Sequence, residues 1–209
     1  MHIPDGILSV PFIILGWFSS IIILYILLNR YTSQELTELI PKISVLTASF
    51  FVVSFIYIPL GVTSIHLMFI GPISIMLGSM SYICIFVSLI LQSIFLHCGG
   101  LLSLGINSII IGGCSILNNF FYNILKKIMN FLYAGFISTF ISLLISYIVL
   151  YLILYINGTF INLNFKYFIQ FHMIPSVVTV IIESIITIFV LHFLNIIKPE
   201  FIYKEKNLK

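Results

Sequence analysis

Apolar residues run along this chain in long stretches, and polar positions interrupt them only at widely spaced points. An α-helix needs about 20 apolar residues to cross a bilayer core of roughly 30 Å. Stretches of that kind fall at roughly 10–29, 43–60, 66–80, 82–97, 101–125, 129–156 and 172–197. The pattern predicts an all-α, polytopic integral membrane protein with about seven transmembrane helices. The third and fourth stretches are short, and Pro72 and Gly78 interrupt them. Interrupted spans of this type line cavities, because backbone groups left unpaired in lipid are costly. Residues 30–42 read as a polar, amphipathic loop and 198–209 as a solvated tail. No internal repeat or linker divides the rest, so 1–209 is expected to be a single transmembrane domain.

Composition narrows the class. Hydrophobic residues make up 61% of the chain and charged residues 7%, against about 25% charged in an ordinary soluble domain. Residues 43–125 carry no charge, nor do 128–165. Surface helices of a soluble fold need polar faces, and these runs cannot supply them. Disorder is excluded by the apolar content, and nucleic-acid binding by the scatter of nine basic residues, which form no stripe or patch.

Those basic residues set the orientation, since cytoplasmic loops are enriched in Lys and Arg. With the N-terminus outside, Arg30, Lys42, Lys126, Lys127, Lys198, Lys204, Lys206 and Lys209 all fall inside, and only Lys166 lies opposite. The chain is therefore expected to start outside and to end in a cytoplasmic tail at 198–209. Met1-His2-Ile3-Pro4-Asp5-Gly6 lacks the basic start of a signal peptide, and no A-x-A-like cleavage site follows the first apolar run. Met1 is expected to be the mature N-terminus, displayed on the outer face.

A histidine at position 2 brings three nitrogens into one run: the Met1 α-amine, the His2 backbone nitrogen and His2 Nδ1. Amine and amide close a five-membered ring around a metal ion, and amide and Nδ1 close a six-membered ring in the same plane. One further nitrogen completes a square, a geometry suited to Ni(II) or Cu(II). Both the amine and the amide must lose a proton, so binding should strengthen with pH. The plain alternative is a chain that begins Met-His by chance. His66, in the polar turn Gly61-Val62-Thr63-Ser64-Ile65-His66, falls on the same face. It is either a hydrogen-bonded structural residue or the fourth donor, since an ionisable group at the edge of a span is a functional candidate.

The remaining reactive groups are more ambiguous. His97, in His97-Cys98-Gly99-Gly100, is a turn residue, a support for another ligand, or a fifth ligand. His172 and His192 read as interfacial or packing residues. Cys84, Cys98 and Cys114 show no C-x-x-C spacing and read as small buried hydrophobes, with a thiolate ligand at Cys98 as the alternative. Glu183 is the one charged side chain inside a span. It needs a partner, Asn107, Asn118, Asn119 or a backbone group, or it serves coupling or contact with another subunit. Asp5 either steadies the His2 imidazole or caps a turn with Gly6.

Met1-His2-Ile3-Pro4-Asp5-Gly6-Ile7-Leu8-Ser9 resembles the N-terminal signature of the cobalt/nickel substrate-capture components of energy-coupling factor transporters. Gly61-Val62-Thr63-Ser64-Ile65-His66-Leu67 resembles that family's T-S-G-H-L turn, with Ile65 in place of its usual Gly. The run from Leu91-Gln92 through His97-Cys98-Gly99-Gly100-Leu101 to Leu104-Gly105-Ile106-Asn107 resembles its Gln…G-G-L…L-G-x-N segment. The last span, with Glu183 and Thr187 followed by Lys198-Pro199-Glu200, is also similar. The resemblance implies capture of Co(II) or Ni(II) as substrate at the outer face of a prokaryotic cell membrane. It further implies ligands from the Met1 amine, the His2 amide and imidazole, and His66. Residues 1–9 then form the metal-binding segment, and Asp5, Ser64, His97 and Asn107 are candidates for steadying it.

The implied partners are a transmembrane coupling subunit, paired cytoplasmic ATPases and a small accessory membrane protein. This chain has no Gly-rich phosphate loop, so it is expected to be a transport subunit, not an enzyme, with no cofactor of its own. The competing reading is an integral-membrane metalloenzyme built on His66, His97 and Glu183 around a metal with a water position. Against it, there is no H-E-x-x-H, and a closed four-nitrogen square leaves no site for water. A self-sufficient channel or secondary transporter would need ionisable residues along a path, and only Glu183 is available.

Overall fold

The computed structural model describes residues 2–60, 63–161 and 165–198. Its elements are α1 (Val10–Leu28), α2 (Ser33–Val53), β1 (Tyr57–Leu60), β2 (Thr63–His66), α3 (Ile70–Leu77), α4 (Ser81–Phe95), α5 (Leu104–Leu125), α6 (Phe131–Ile161) and α7 (Phe165–Ile197). The two strands pair antiparallel, with Tyr57 opposite His66 and Leu60 opposite Thr63. Helix α5 is central, packing against α1, α3, α4 and α6.

The burial pattern is inverted relative to a soluble bundle. Helix α1 buries Gly16, Ser20 and Leu27 while Phe18 is 64% and Tyr25 66% exposed. Small and hydroxyl-bearing residues face neighbouring helices, because lipid offers large apolar side chains as good an environment as a protein core does. Close approach is visible where α1 meets α5. A Cβ at Gly105 would sit 2.4 Å from the Trp17 backbone nitrogen, and one at Gly16 would sit 2.8 Å from that of Ile106. Deeper in the bundle, Tyr82 donates to Ser20 Oγ at 3.1 Å, and Ser20 lies 2.8 Å from Ser108 Oγ.

Six helical stretches among the described residues are long and apolar enough to cross a membrane, the third being Ile70–Phe95. Among the described residues, the third and fourth stretches expected from sequence thus share one candidate span, Ile70–Phe95, in place of two. Ile70–Phe95 is no single rod. Helix α3 has 8 residues, about 12 Å at 1.5 Å per residue, and is followed by a 3-10 turn, Gly78–Met80. Gly78 opens that turn at φ +61, a conformation that glycine takes without penalty. The segment starts beside His66 and ends beside Gln92, and both touch His2. At its turning point, Ser79 lies 3.3 Å from the Tyr31 hydroxyl in the α1–α2 connection. The chain goes inward along α3 and returns along α4, which is the interruption that Pro72 and Gly78 announced.

Two further expectations need correction. Residues 30–42 are not a loop: from Ser33 onward they are the start of α2, nucleated by a capping box in which Thr32 and Glu35 satisfy each other's backbone N–H groups. Lys42 thus lies within a helix, and its Nζ donates at 2.8 Å to the Met76 carbonyl near the C-terminal end of α3, where a cation is favoured. Residues 57–60 form β1 and do not belong to the second span.

Candidate metal centre

The first residues of the chain fold back into one end of the bundle. Ile3 is 2% exposed and Leu8 6%. Burying this segment requires its backbone to find partners, and two asparagines provide them. Asn107 on α5 accepts from the Ile3 N–H at 2.9 Å and donates to the Ile3 carbonyl at 3.0 Å. Asn157 on α6 accepts from the Ser9 N–H at 2.8 Å and donates to the Ile7 carbonyl at 2.7 Å. The Ser103 hydroxyl adds a bond to Ile3 O at 2.7 Å. Asp5 accepts from Ser103 N at 2.9 Å and Leu102 N at 3.4 Å, just ahead of α5, where free N–H groups and the helix dipole favour a carboxylate. Its described hydrogen bonds go to the start of α5, neither to the His2 imidazole nor to a turn at Gly6.

This anchoring carries His2 to His66, which stands at the end of β2. The two ring centroids are 4.8 Å apart with planes tilted by 39°. His2 Nε2–H donates to Gln92 Oε1 at 2.9 Å, which leaves Nδ1 as the lone-pair nitrogen. That Nδ1 is buried and has no hydrogen-bond partner among the described residues. Burial holds the His2 imidazole well below its ordinary pKa, with the amino-terminal charge and His66 adding to the effect and the Gln92 bond opposing it. His66 is pushed down to about 4, by burial first and then by the amino-terminal charge. Both rings are neutral at neutral pH, as metal ligation requires.

The other sequence candidates are distributed as follows. Met1 lies outside the described residues, as do the side chains of Ser64 and His172; the Ser64 backbone pairs with Pro59 in the hairpin. Asn107 acts on the site through Ile3. His97 is exposed and takes a left-handed conformation at φ 54, so it serves as a turn residue between α4 and α5. His192 is exposed on α7. Cys84 and Cys114 are buried and Cys98 is half-buried, and no disulfide joins them among the described residues. Glu183 accepts backbone N–H groups from Met68 at 2.5 Å and Phe69 at 3.2 Å. Three groups now stand out to which no role was attached from sequence: Gln92, Ser103 and Asn157. Gln92 and Asn157 carry a signal, since an amide inside an apolar span is costly unless it is used, whereas Ser103, in the turn before α5, carries none.

Among the described residues, no three His, Cys, Asp or Glu side chains converge. A catalytic metal site with three protein ligands and a water is therefore not assembled there. His97 is exposed, and Glu183 is engaged with the backbone after His66, so the proposed set of His66, His97 and Glu183 does not come together. Two imidazoles do converge, one of them belonging to a residue whose backbone nitrogen sits in chelating relation to its own Nδ1.

Fold and site together define a polytopic helical membrane protein with a nitrogen-rich side-chain cluster at one end, built around its own first residues. Residues 2–201 match the family described as the cobalt uptake substrate-specific transmembrane region, CbiM. The chain belongs to this family of transmembrane regions. A Haemophilus influenzae protein whose name assigns it to metal transport is 28% identical over 122 residues, spanning 58% of this chain and 57% of that protein. Two solved structures share the fold. A truncated transition metal transporter has a TM-score of 0.81 at 18% identity, covering 93% of this chain and 98% of its own. A transition metal transporter has a TM-score of 0.82 at 19% identity, covering 96% and 95%.

Proposed function

We propose that this chain is the substrate-capture subunit of an energy-coupling factor importer. It takes Ni(II) or Co(II) at the outer face of a prokaryotic plasma membrane. A transmembrane coupling subunit, paired ATPases and a small accessory membrane protein supply the energy and the exit. The ligands are the Met1 α-amine, the His2 backbone nitrogen and Nδ1, and His66. The observation that carries this reading is the pairing of His2 with His66, with His2 Nδ1 buried and unpartnered while Gln92 holds Nε2. A buried imidazole nitrogen with no partner is a cost that metal ligation offsets.

The distribution of basic residues supports an outward-facing N-terminus. Asn157, near the end of α6, contacts residues 7 and 9, and α7, which follows and ends at Ile197, is consistent with a chain that ends on the opposite side. The cargo exchange is balanced in charge. A divalent ion displaces one proton from the ammonium and one from the amide, so the site carries +1 before and after loading. Titration of purified protein with Ni(II) and Co(II) tests the reading. His2→Ala and His66→Ala each remove high-affinity binding if it is right, and wild-type affinity in both variants would overturn it.

A further inference from the structure

The stretch between His66 and α3 is a sharp bend. Leu67 and Met68 are buried, Phe69 adopts φ 53, and α3 begins at Ile70. Phe69 is the residue at the cap position, and its side chain makes no cap hydrogen bond; a phenyl ring cannot make one. The function is met from a different helix. Glu183, on α7 and 0% exposed, places Oε1 on the N–H groups of Met68 and Phe69. Oε2 is buried with no hydrogen-bond partner among the described residues. For helix stability alone this is an expensive solution, because burying a carboxylate inside a span is costly, whereas helices ordinarily take their cap from a local Ser, Thr, Asp or Asn. What the long-range contact adds is a fixed link between α7 and the backbone two and three residues after His66.

We propose that Glu183 is a positioning residue for the metal site: by holding the N–H groups of Met68 and Phe69, it sets where the His66 imidazole stands relative to His2. The inference rests on the proposed metal-capture reading. It requires an acceptor oxygen at full glutamate reach and not the charge itself, since Oε1 makes both bonds. Glu183→Gln keeps that oxygen. Glu183→Asp keeps the charge but withdraws it by one C–C bond, about 1.5 Å. Glu183→Ala removes both.

The test is Ni(II) and Co(II) titration of the full chain in detergent, for wild type and the three variants. Glu183→Ala is also measured on a His66→Ala background, which retains the three nitrogens of the chain start and binds weakly. Supporting groups of this kind typically change metal affinity by about 10–100-fold. Glu183→Ala and Glu183→Asp lose affinity in that range, and Glu183→Gln stays within about threefold of wild type. On the His66→Ala background, Glu183→Ala changes affinity by less than about twofold, because its effect runs through the missing imidazole. A general structural defect would lower affinity equally on both backgrounds, and that result overturns the proposal. So does Glu183→Gln binding as weakly as Glu183→Asp, a comparison that stands even if the alanine variant fails to fold. If wild type binds neither ion, the metal-capture reading itself fails; if wild type binds and the Glu183 variants match it, only this inference fails.

Discussion

Replacing Gln92 with leucine isolates the second nitrogen of His2. Leucine places an apolar side chain of similar size on α4 and removes the carbonyl that receives Nε2–H at 2.9 Å. In the empty site this bond joins two neutral groups and contributes about 0.5–1.5 kcal/mol. With a divalent ion on Nδ1 the imidazole N–H becomes a stronger donor, and a charge-assisted bond contributes about 1.5–3 kcal/mol. Only the difference, about 1–1.5 kcal/mol, enters the affinity. At 1.4 kcal/mol per tenfold, Gln92→Leu should weaken Ni(II) and Co(II) binding roughly tenfold. Calorimetric titration in detergent reads this directly, with the melting temperature of the metal-free protein as a control for folding. A folded Gln92→Leu protein that binds within twofold of wild type refutes the claim that Gln92 sets the imidazole's tautomer and donor strength.

Other consequences follow from the same geometry. A Cβ at Gly100 would lie 1.9 Å from the Asp5 Cγ, so Gly100→Ala should push Asp5 off the start of α5. Metal affinity should then fall severalfold; on an Asp5→Ala background the same change should be silent, and titration of the four proteins checks this. The pH dependence of binding should follow the amine and not the imidazoles. His66 titrates at about 4 and His2 is also held low, whereas an α-amine titrates near 7.7–8.0. About two protons should be released per ion at pH 6.5 and about one at pH 9, as counted by titration in buffers of different ionisation heat. Because both imidazole values are lowered, their neutral forms stabilise the fold fully above the unfolded value near 6.5. That stability is lost as pH falls toward 4, so the metal-free melting temperature should drop across this window. Finally, Asn157→Leu, which strips the Ser9 N–H and Ile7 carbonyl of their partner, should expose residues 1–9 to proteolysis in the metal-free protein.

Much of this architecture is legible along the chain because lipid simplifies the code. Long uncharged runs give the helices, and Pro72 and Gly78 mark the broken excursion of α3 and α4. The polar turn at 61–66 marks the hairpin, although pairing of Tyr57 with His66 has no signature of its own. Thr32-Ser33-Gln34-Glu35 carried a capping box, yet the local polarity of 30–42 outweighed it. The first turns of α2 carry charge and still form a helix, because the Thr32–Glu35 cap satisfies their free N–H groups. Met1, His2 and His66 were brought forward by donor chemistry and by family resemblance, and the structure sets His2 against His66. The groups that place them were not readable as partners. Gln92 meets His2 across 90 residues, Asn157 meets Ser9 across 148, and Glu183 meets Met68 across 115. An intramembrane amide or carboxylate announces that it has a partner without saying which one.

The central claim is that the start of the chain is itself the metal ligand. The most direct measurement is Ni(II) titration of the protein with a free Met1 amine, compared with the same protein acetylated there or extended by several residues, which carries the free amine out of chelating reach of His2. Both blocked forms keep His2, His66 and Gln92 but lose the free-amine chelate. The account predicts that high-affinity binding disappears in both. Unchanged affinity in the blocked proteins would contradict it.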